Sequence, residues 1–213
     1  MLTPLVVVLA LAGAAWGFAA DRIAARWPAH DDGSIRAVDW RTPIAVVTGT
    51  AALALVPVRF EGDAVAQLIF GAYVVALILL LATDLDQRLL PNVITLPAIP
   101  LAFAVTLAGL NPLVPPGQLP IAVVVAIAVP AFLALLALPF GAGAIGQGDL
   151  KLLVSVGLLA GPLRMFSGVV YGALLAGLVI VILLAFRRIT LKTFIPFGPF
   201  LILGALWATL VLE

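Results

Sequence analysis

The sequence predicts an all-α, polytopic integral membrane protein of about eight transmembrane helices, with both termini on the extracytoplasmic side. Three observations carry this expectation. Of 213 residues, 64% are hydrophobic and only 10% charged, whereas a soluble domain carries about 25% charged residues. The apolar residues form continuous runs and do not alternate with polar ones, as the strands of a membrane barrel do. The few charges gather between those runs.

A spanning helix needs about 20 apolar residues. Eight segments are candidates: Leu2–Ala20, Pro43–Val58, Ala64–Thr83, Leu89–Leu110, Leu119–Phe140, Leu150–Leu163, Met165–Phe186 and Phe194–Leu212. The second and sixth are short. The first has small residues at Ala19-Ala20 that would suit a signal cleavage site. It lacks a basic start, however, because Arg22 and Arg26 follow the apolar run, so it reads as a retained helix. With eight spans, one side of the membrane receives Arg22, Arg26, Arg36, Arg41, Arg88, Lys151, Arg187, Arg188 and Lys192, nine of the 11 basic residues. The other side receives Arg59 and Arg164. Basic loops stay in the cytoplasm, so Asp84, Asp86 and Asp149 are expected on the cytoplasmic face. Seven spans would scramble this split.

Residues 1–213 read as one transmembrane domain. The segment Asp21–Thr42 is the only sizeable polar stretch and is too short for a domain of its own. Its charges, including His30 and the acids Asp31, Asp32 and Asp39, are expected to be solvated. Asn111–Gln118 has no charge and reads as a turn. There is no cysteine, which excludes disulfides, thiol catalysis and cysteine-held zinc. A single histidine is weak evidence for a metal. A net charge of +1 without a basic patch gives no reason to expect a nucleic-acid partner.

In a chain this apolar, a charge at a membrane segment is a functional hypothesis by default. Two stretches stand out. Thr83-Asp84-Leu85-Asp86-Gln87-Arg88-Leu89-Leu90-Pro91-Asn92 puts two carboxylates at the end of an apolar run. Two residues apart on a helix means about 200° around the axis. Asp84 and Asp86 therefore do not share a face, and one is expected to point into the bundle and the other to water. Pro91 suits a helix end. Alone, this stretch reads equally well as loop charges flanking a span. The second stretch, Gly141 to Gly148, is a glycine-dense approach to Asp149. The 14 residues between Asp149 and Arg164 make a helix of about 21 Å, short of the roughly 30 Å of hydrocarbon. Either Asp149 lies within the membrane or the glycine loop dips into it. Both place a carboxylate where an isolated charge is costly. If Asp84 and Asp149 meet there, they share a proton and titrate as a pair. That is the requirement for aspartic proteolysis, which needs no nucleophilic side chain, metal or cofactor.

At these residues the chain resembles the type IV prepilin peptidases, the bacterial branch of the intramembrane aspartic proteases with a Gly-x-Gly-Asp motif. The resemblance rests on Asp84-Leu85-Asp86, Leu90-Pro91-Asn92 and Thr95-Leu96-Pro97, then Gly146-Gln147-Gly148-Asp149-Leu150-Lys151, then Pro196 to Phe200. It implies that Asp84 and Asp149 are the catalytic pair. Asp86, Gly146, Gly148, Pro91 and Asn92 become accessory, and Lys151 becomes an interfacial anchor or a partner for a carboxylate. It implies no cofactor and no metal. It also implies a substrate: a prepilin or pseudopilin whose basic leader is cut off on the cytoplasmic face of the inner membrane, ahead of an apolar stem helix in the bilayer. Pilus assembly and protein secretion use such substrates. Asp31, Asp32 and Asp39 could attract the leader.

Longer members of that family carry a cytoplasmic domain with a four-cysteine zinc site, linked to N-methylation of the new amino terminus. Here residues 21–42 stand in its place without cysteine, so methyltransferase activity is not expected. Two other classes remain open. A metal-dependent membrane transferase could hold a divalent cation on Asp84 and Asp86, and a proton-coupled transporter could use Asp84 and Asp149 as a relay. A peptidase for archaeal flagellins or signal peptides is a nearer alternative.

Overall fold

The computed structural model describes residues 4–30, 33–140, 145–190 and 196–212. Among the described residues there are eight α-helices and no strand: α1 (Pro4–Ala24), α2 (Arg41–Arg59), α3 (Ala64–Gln87), α4 (Asn92–Leu107), α5 (Leu119–Ala137), α6 (Gln147–Ala160), α7 (Pro162–Ala185) and α8 (Gly198–Leu210). Five of them, α1, α2, α3, α5 with the turn before it, and α7, are long and apolar enough to cross a membrane. Helices α4 and α8 are apolar but have only 16 and 13 residues, and α6 has 14. The protein is a polytopic, all-helical membrane protein.

Each expected segment contains a helix, and the ends differ for local reasons. Asp63 caps α3 by accepting a hydrogen bond from the Ala66 amide at 2.9 Å, which satisfies one of the orphan donors of the first turn. Helix α3 then runs past Thr83 and ends when Arg88 adopts a left-handed φ of 56°. Asp84 and Asp86 are therefore helical residues of its last turn. Pro91 is extended at φ −60°, ψ 129°, which delays α4 to Asn92. Gly161, at φ 81°, ends α6 and Pro162 opens α7, so the break falls before Leu163.

Lipid offers no hydrophobic drive between helices, so close packing must supply it. Gly13 and Gly17 of α1 lie against Ala45 and Gly49 of α2 so tightly that a methyl group on either α1 glycine would overlap backbone. Helices α7 and α8 repeat the device: Gly168 meets Gly204, and Gly172 meets Phe200. Those pairings make α7 and α8 antiparallel.

Helices α1, α2 and α3 pack together, and α4, α5, α6 and α7 form a second group. Helix α8 touches both groups. Consecutive helices α3 and α4 share no packed face; α4 leans instead on α6. At the far end, Asn111 donates to the Leu159 carbonyl at 2.9 Å and to the Thr106 hydroxyl at 3.0 Å. Helices α4 and α6 are thereby fastened side by side and run in the same direction.

Candidate active site

Helix α3 ends, and α4, α6 and α8 begin, at one end of the molecule. Asp84 sits in the last turn of α3 and Asp149 in the first turn of α6. Both are buried, at 4% and 8% exposure. They converge on Gly198, the first residue of α8. A Cβ placed there would lie 2.5 Å from Asp84 Oδ2 and 2.9 Å from Asp149 Oδ1. The two oxygens can therefore be no further apart than those distances laid end to end. Asp84 Oδ2 is buried with no hydrogen-bond partner among the described residues.

Two more glycines pack closely beside the pair. A Cβ on Gly148 would come within 2.7 Å of the Leu90 Cβ, so the Gly-x-Gly-Asp turn presses directly on the Leu-Pro-Asn turn. A Cβ on Gly146 would meet Asp149 Oδ2 at 3.2 Å. Gly146 also serves as the extended N-cap of α6. Lys151 reaches across the same seam and donates to Asn92 Oδ1 at 2.8 Å. Its partner is thus an amide rather than a carboxylate. Pro91, Asn92, Gly146, Gly148 and Lys151 all line one cleft of about 550 Å³ with both aspartates. Trp27, Pro28, Arg88 and Leu89 complete much of its wall. Gly141 to Ala144 lie outside the described residues.

Asp86 does not face this cleft, and it does not face water. Its side chain is 2% exposed and is held by Arg36 Nε at 2.5 Å, His30 Nε2 at 3.0 Å and Arg41 at 3.4 Å. The expectation that the charges of residues 21–42 are merely solvated is therefore wrong for His30, Arg36 and Arg41. Arg36 also binds Asp21 at 2.5 Å and Asp39 at 2.7 Å. Asp21, fully buried, belongs to the last turn of α1 rather than to the loop, and is further held by Arg22 and by the Thr42 hydroxyl at 2.7 Å. Gln87 adds hydrogen bonds to the Ala24 and Pro28 carbonyls. Partial burial alone would lower the pKa of Arg36, but Asp21 and Asp86 outweigh it and hold the guanidinium above its ordinary range. The segment is an ionic clasp that fixes the ends of α1 and α3. Asp39 is engaged within it, and Asp31 and Asp32 lie outside the described residues.

Buried carboxylates thus fall into two kinds. Asp21 and Asp86 are neutralised by arginines. Asp84 and Asp149 converge on one another, and Asp84 Oδ2 has no hydrogen-bond partner among the described residues. The 200° offset between Asp84 and Asp86 separates the two kinds on one helix turn. Gly198 and the pairing of Asp86 with His30, Arg36 and Arg41 were not singled out by sequence reasoning. Gly198 does lie in the Pro196 to Phe200 motif, which was the one available signal.

An all-helical membrane bundle thus holds two converging, buried carboxylates in a cleft at one end, with Arg88 on its wall. The comparisons make the class narrower. Residues 71–185 match the Type IV leader peptidase family, and the chain belongs to that family. It is also 32% identical over 180 residues to a prepilin leader peptidase/N-methyltransferase of Pseudomonas putida, an alignment covering 80% of this chain and 58% of that protein. The chain thus spans under two thirds of that relative's length. No solved structure matches it.

Proposed function

We propose that the protein is an aspartic endopeptidase that removes the basic leader from prepilin-like or pseudopilin-like substrates. The observation that carries this reading is the convergence of Asp84 and Asp149 on Gly198, with Asp84 Oδ2 buried and without a hydrogen-bond partner among the described residues. Two such carboxylates hold one proton between them. The ionised one takes a proton from a water as its oxygen attacks the scissile carbonyl carbon. The protonated one gives its proton to the carbonyl oxygen. Collapse of the resulting diol breaks the C–N bond. The leaving nitrogen takes up a proton, and the pair ends again with one. Gly198 brings the α8 backbone against both acids without filling the space between them.

The same reading puts the site at the cytoplasmic face of an eight-span bundle, with both termini outside. The clasp arginines, Arg88 and Lys151 all lie at the carboxylate end, the end the basic-residue count places in the cytoplasm. Arg59 and Arg164, the two exceptions, are near enough to repel one another. His30, Arg36, Asp39 and Arg41 close on α1 and α3 by ion pairs, which leaves little chain to wall a methyl-donor pocket, so N-methylation is done by another protein or not at all. The Asp-x-Asp metal reading is disfavoured because Asp86 turns away from Asp84 towards Arg36 and Arg41.

The test is purified protein in detergent with a synthetic peptide of basic leader, glycine and apolar helix, read by mass spectrometry. The expected result is a single cut after the glycine, unchanged by EDTA. No cut, or a cut abolished by EDTA, refutes the reading.

A further inference from the structure

The gap between α3 and α4 is a second cleft of about 520 Å³, lined almost wholly by apolar atoms. It exists because these two consecutive helices part immediately after their four-residue connection, α3 staying with α1 and α2 while α4 leans on α6. Deep in the seam the two groups are tied by Tyr73 of α3 and Ser155 of α6, 3.0 Å apart. Ser155 donates its own proton to the Leu152 carbonyl, so Tyr73 is the donor to Ser155.

Three features of this groove point to one occupant. Its lining on α4 runs from Val93 to Val105, about 18 Å of helix, so it follows the bundle and is no local dent. Ala72 and Ala76 stand on one wall and Ala98 and Ala102 on the other, each pair one turn apart, the pattern that lets a further helix approach closely. Val93 lines both this groove and the cleft that holds Asp84 and Asp149, so the groove meets that cleft at its opening, and within the cleft Asp84 Oδ2 has no hydrogen-bond partner among the described residues. A lipid acyl chain would use the apolar wall but not the opening. A polypeptide with an apolar helix and a preceding extended segment uses both.

We propose that the groove between α3 and α4 seats the apolar helix of the substrate, and that the segment just before this helix then lies across Asp84 and Asp149. The inference rests on the peptidase reading for the nature of its occupant, and its test separates the two. The chain has no cysteine, so single cysteines report cleanly. Ala98→Cys on the groove wall is compared with Leu174→Cys, a 69% exposed site on α7 away from the groove. Both are made in an Asp149→Asn background in nanodiscs. The probe is the same leader-glycine-helix peptide, with a single cysteine moved along its helix. Disulfide crosslinking through Ala98→Cys should exceed that through Leu174→Cys at least tenfold and peak every three or four probe positions. In the cysteine-free chain, Ala98→Trp should raise KM for the peptide at least tenfold. Equal crosslinking at the two sites, as a lipid-filled groove would give, overturns the proposal while wild-type cleavage keeps the peptidase reading. Periodic crosslinking at Ala98→Cys without any wild-type cleavage supports the groove and removes the peptidase.

Discussion

Gly198→Ala adds one methyl group between the two acids. Its Cβ would stand 2.5 Å from Asp84 Oδ2 and 2.9 Å from Asp149 Oδ1, both inside the 3.0 Å that real Cβ contacts essentially never breach. One carboxylate, or the start of α8, must move by about half an ångström or more to restore van der Waals contact. Misplacing a reacting group by about 1 Å can cost 10²-fold in rate. The expected loss in kcat/KM is therefore roughly 10- to 100-fold, about 1.4–2.7 kcal/mol of barrier. Gly198 opens α8 without a left-handed φ, so alanine meets no backbone strain. Melting temperature in detergent then separates a displaced pair from an unfolded bundle. Gly177→Ala is the control, because nothing lies within 4 Å of its added Cβ. A Gly198→Ala enzyme with kcat/KM within twofold of wild type would refute the convergence on which the site is built.

Other substitutions probe the surroundings. Gly148→Ala drives a methyl group into Leu90 and should lower cleavage at least tenfold; the double variant Gly148→Ala/Leu90→Ala should recover part of it, and no recovery would show that the turn-to-turn contact is not the cause. Arg36→Ala strips buried Asp21 and Asp86 of a shared cation and should cost about 3 kcal/mol in unfolding experiments; a loss below about 0.5 kcal/mol would mean that the clasp contributes little. Lys151→Ala removes one exposed hydrogen bond to Asn92, worth about 0.5–1 kcal/mol, so kcat/KM should fall no more than about fivefold, and a collapse of activity would give Lys151 a direct catalytic role.

The site was legible in the sequence where covalent spacing dictates geometry. Two residues on one helix must diverge, so Asp84 and Asp86 had to face different surroundings. What Asp86 meets was not legible. Its partners His30, Arg36 and Arg41 lie 45 to 56 residues earlier, and no periodicity in a short polar loop announces long-range ion pairs. The loop's charges look the same on paper whether they meet water or each other. Helix existence followed from apolar runs, while ends followed from backbone details such as the left-handed Arg88 and the extended Pro91. The pairing of α1 with α2 had a readable signal in Gly13 and Gly17, four apart, and that of α7 with α8 in Gly168 and Gly172. The parting of α3 from α4 had none, because it depends on which neighbours each helix prefers.

The most direct test of the account is cleavage of the leader-glycine-helix peptide by Asp84→Asn, Asp149→Asn and Asp86→Asn beside wild type. Asparagine keeps the shape of each side chain and removes its titrating proton. The account predicts that Asp84→Asn and Asp149→Asn each lose at least 10³-fold while staying folded. It predicts that Asp86→Asn, which weakens only the clasp, still cuts at a reduced melting temperature. Cleavage at the wild-type rate by either of the first two would contradict the pairing of Asp84 with Asp149.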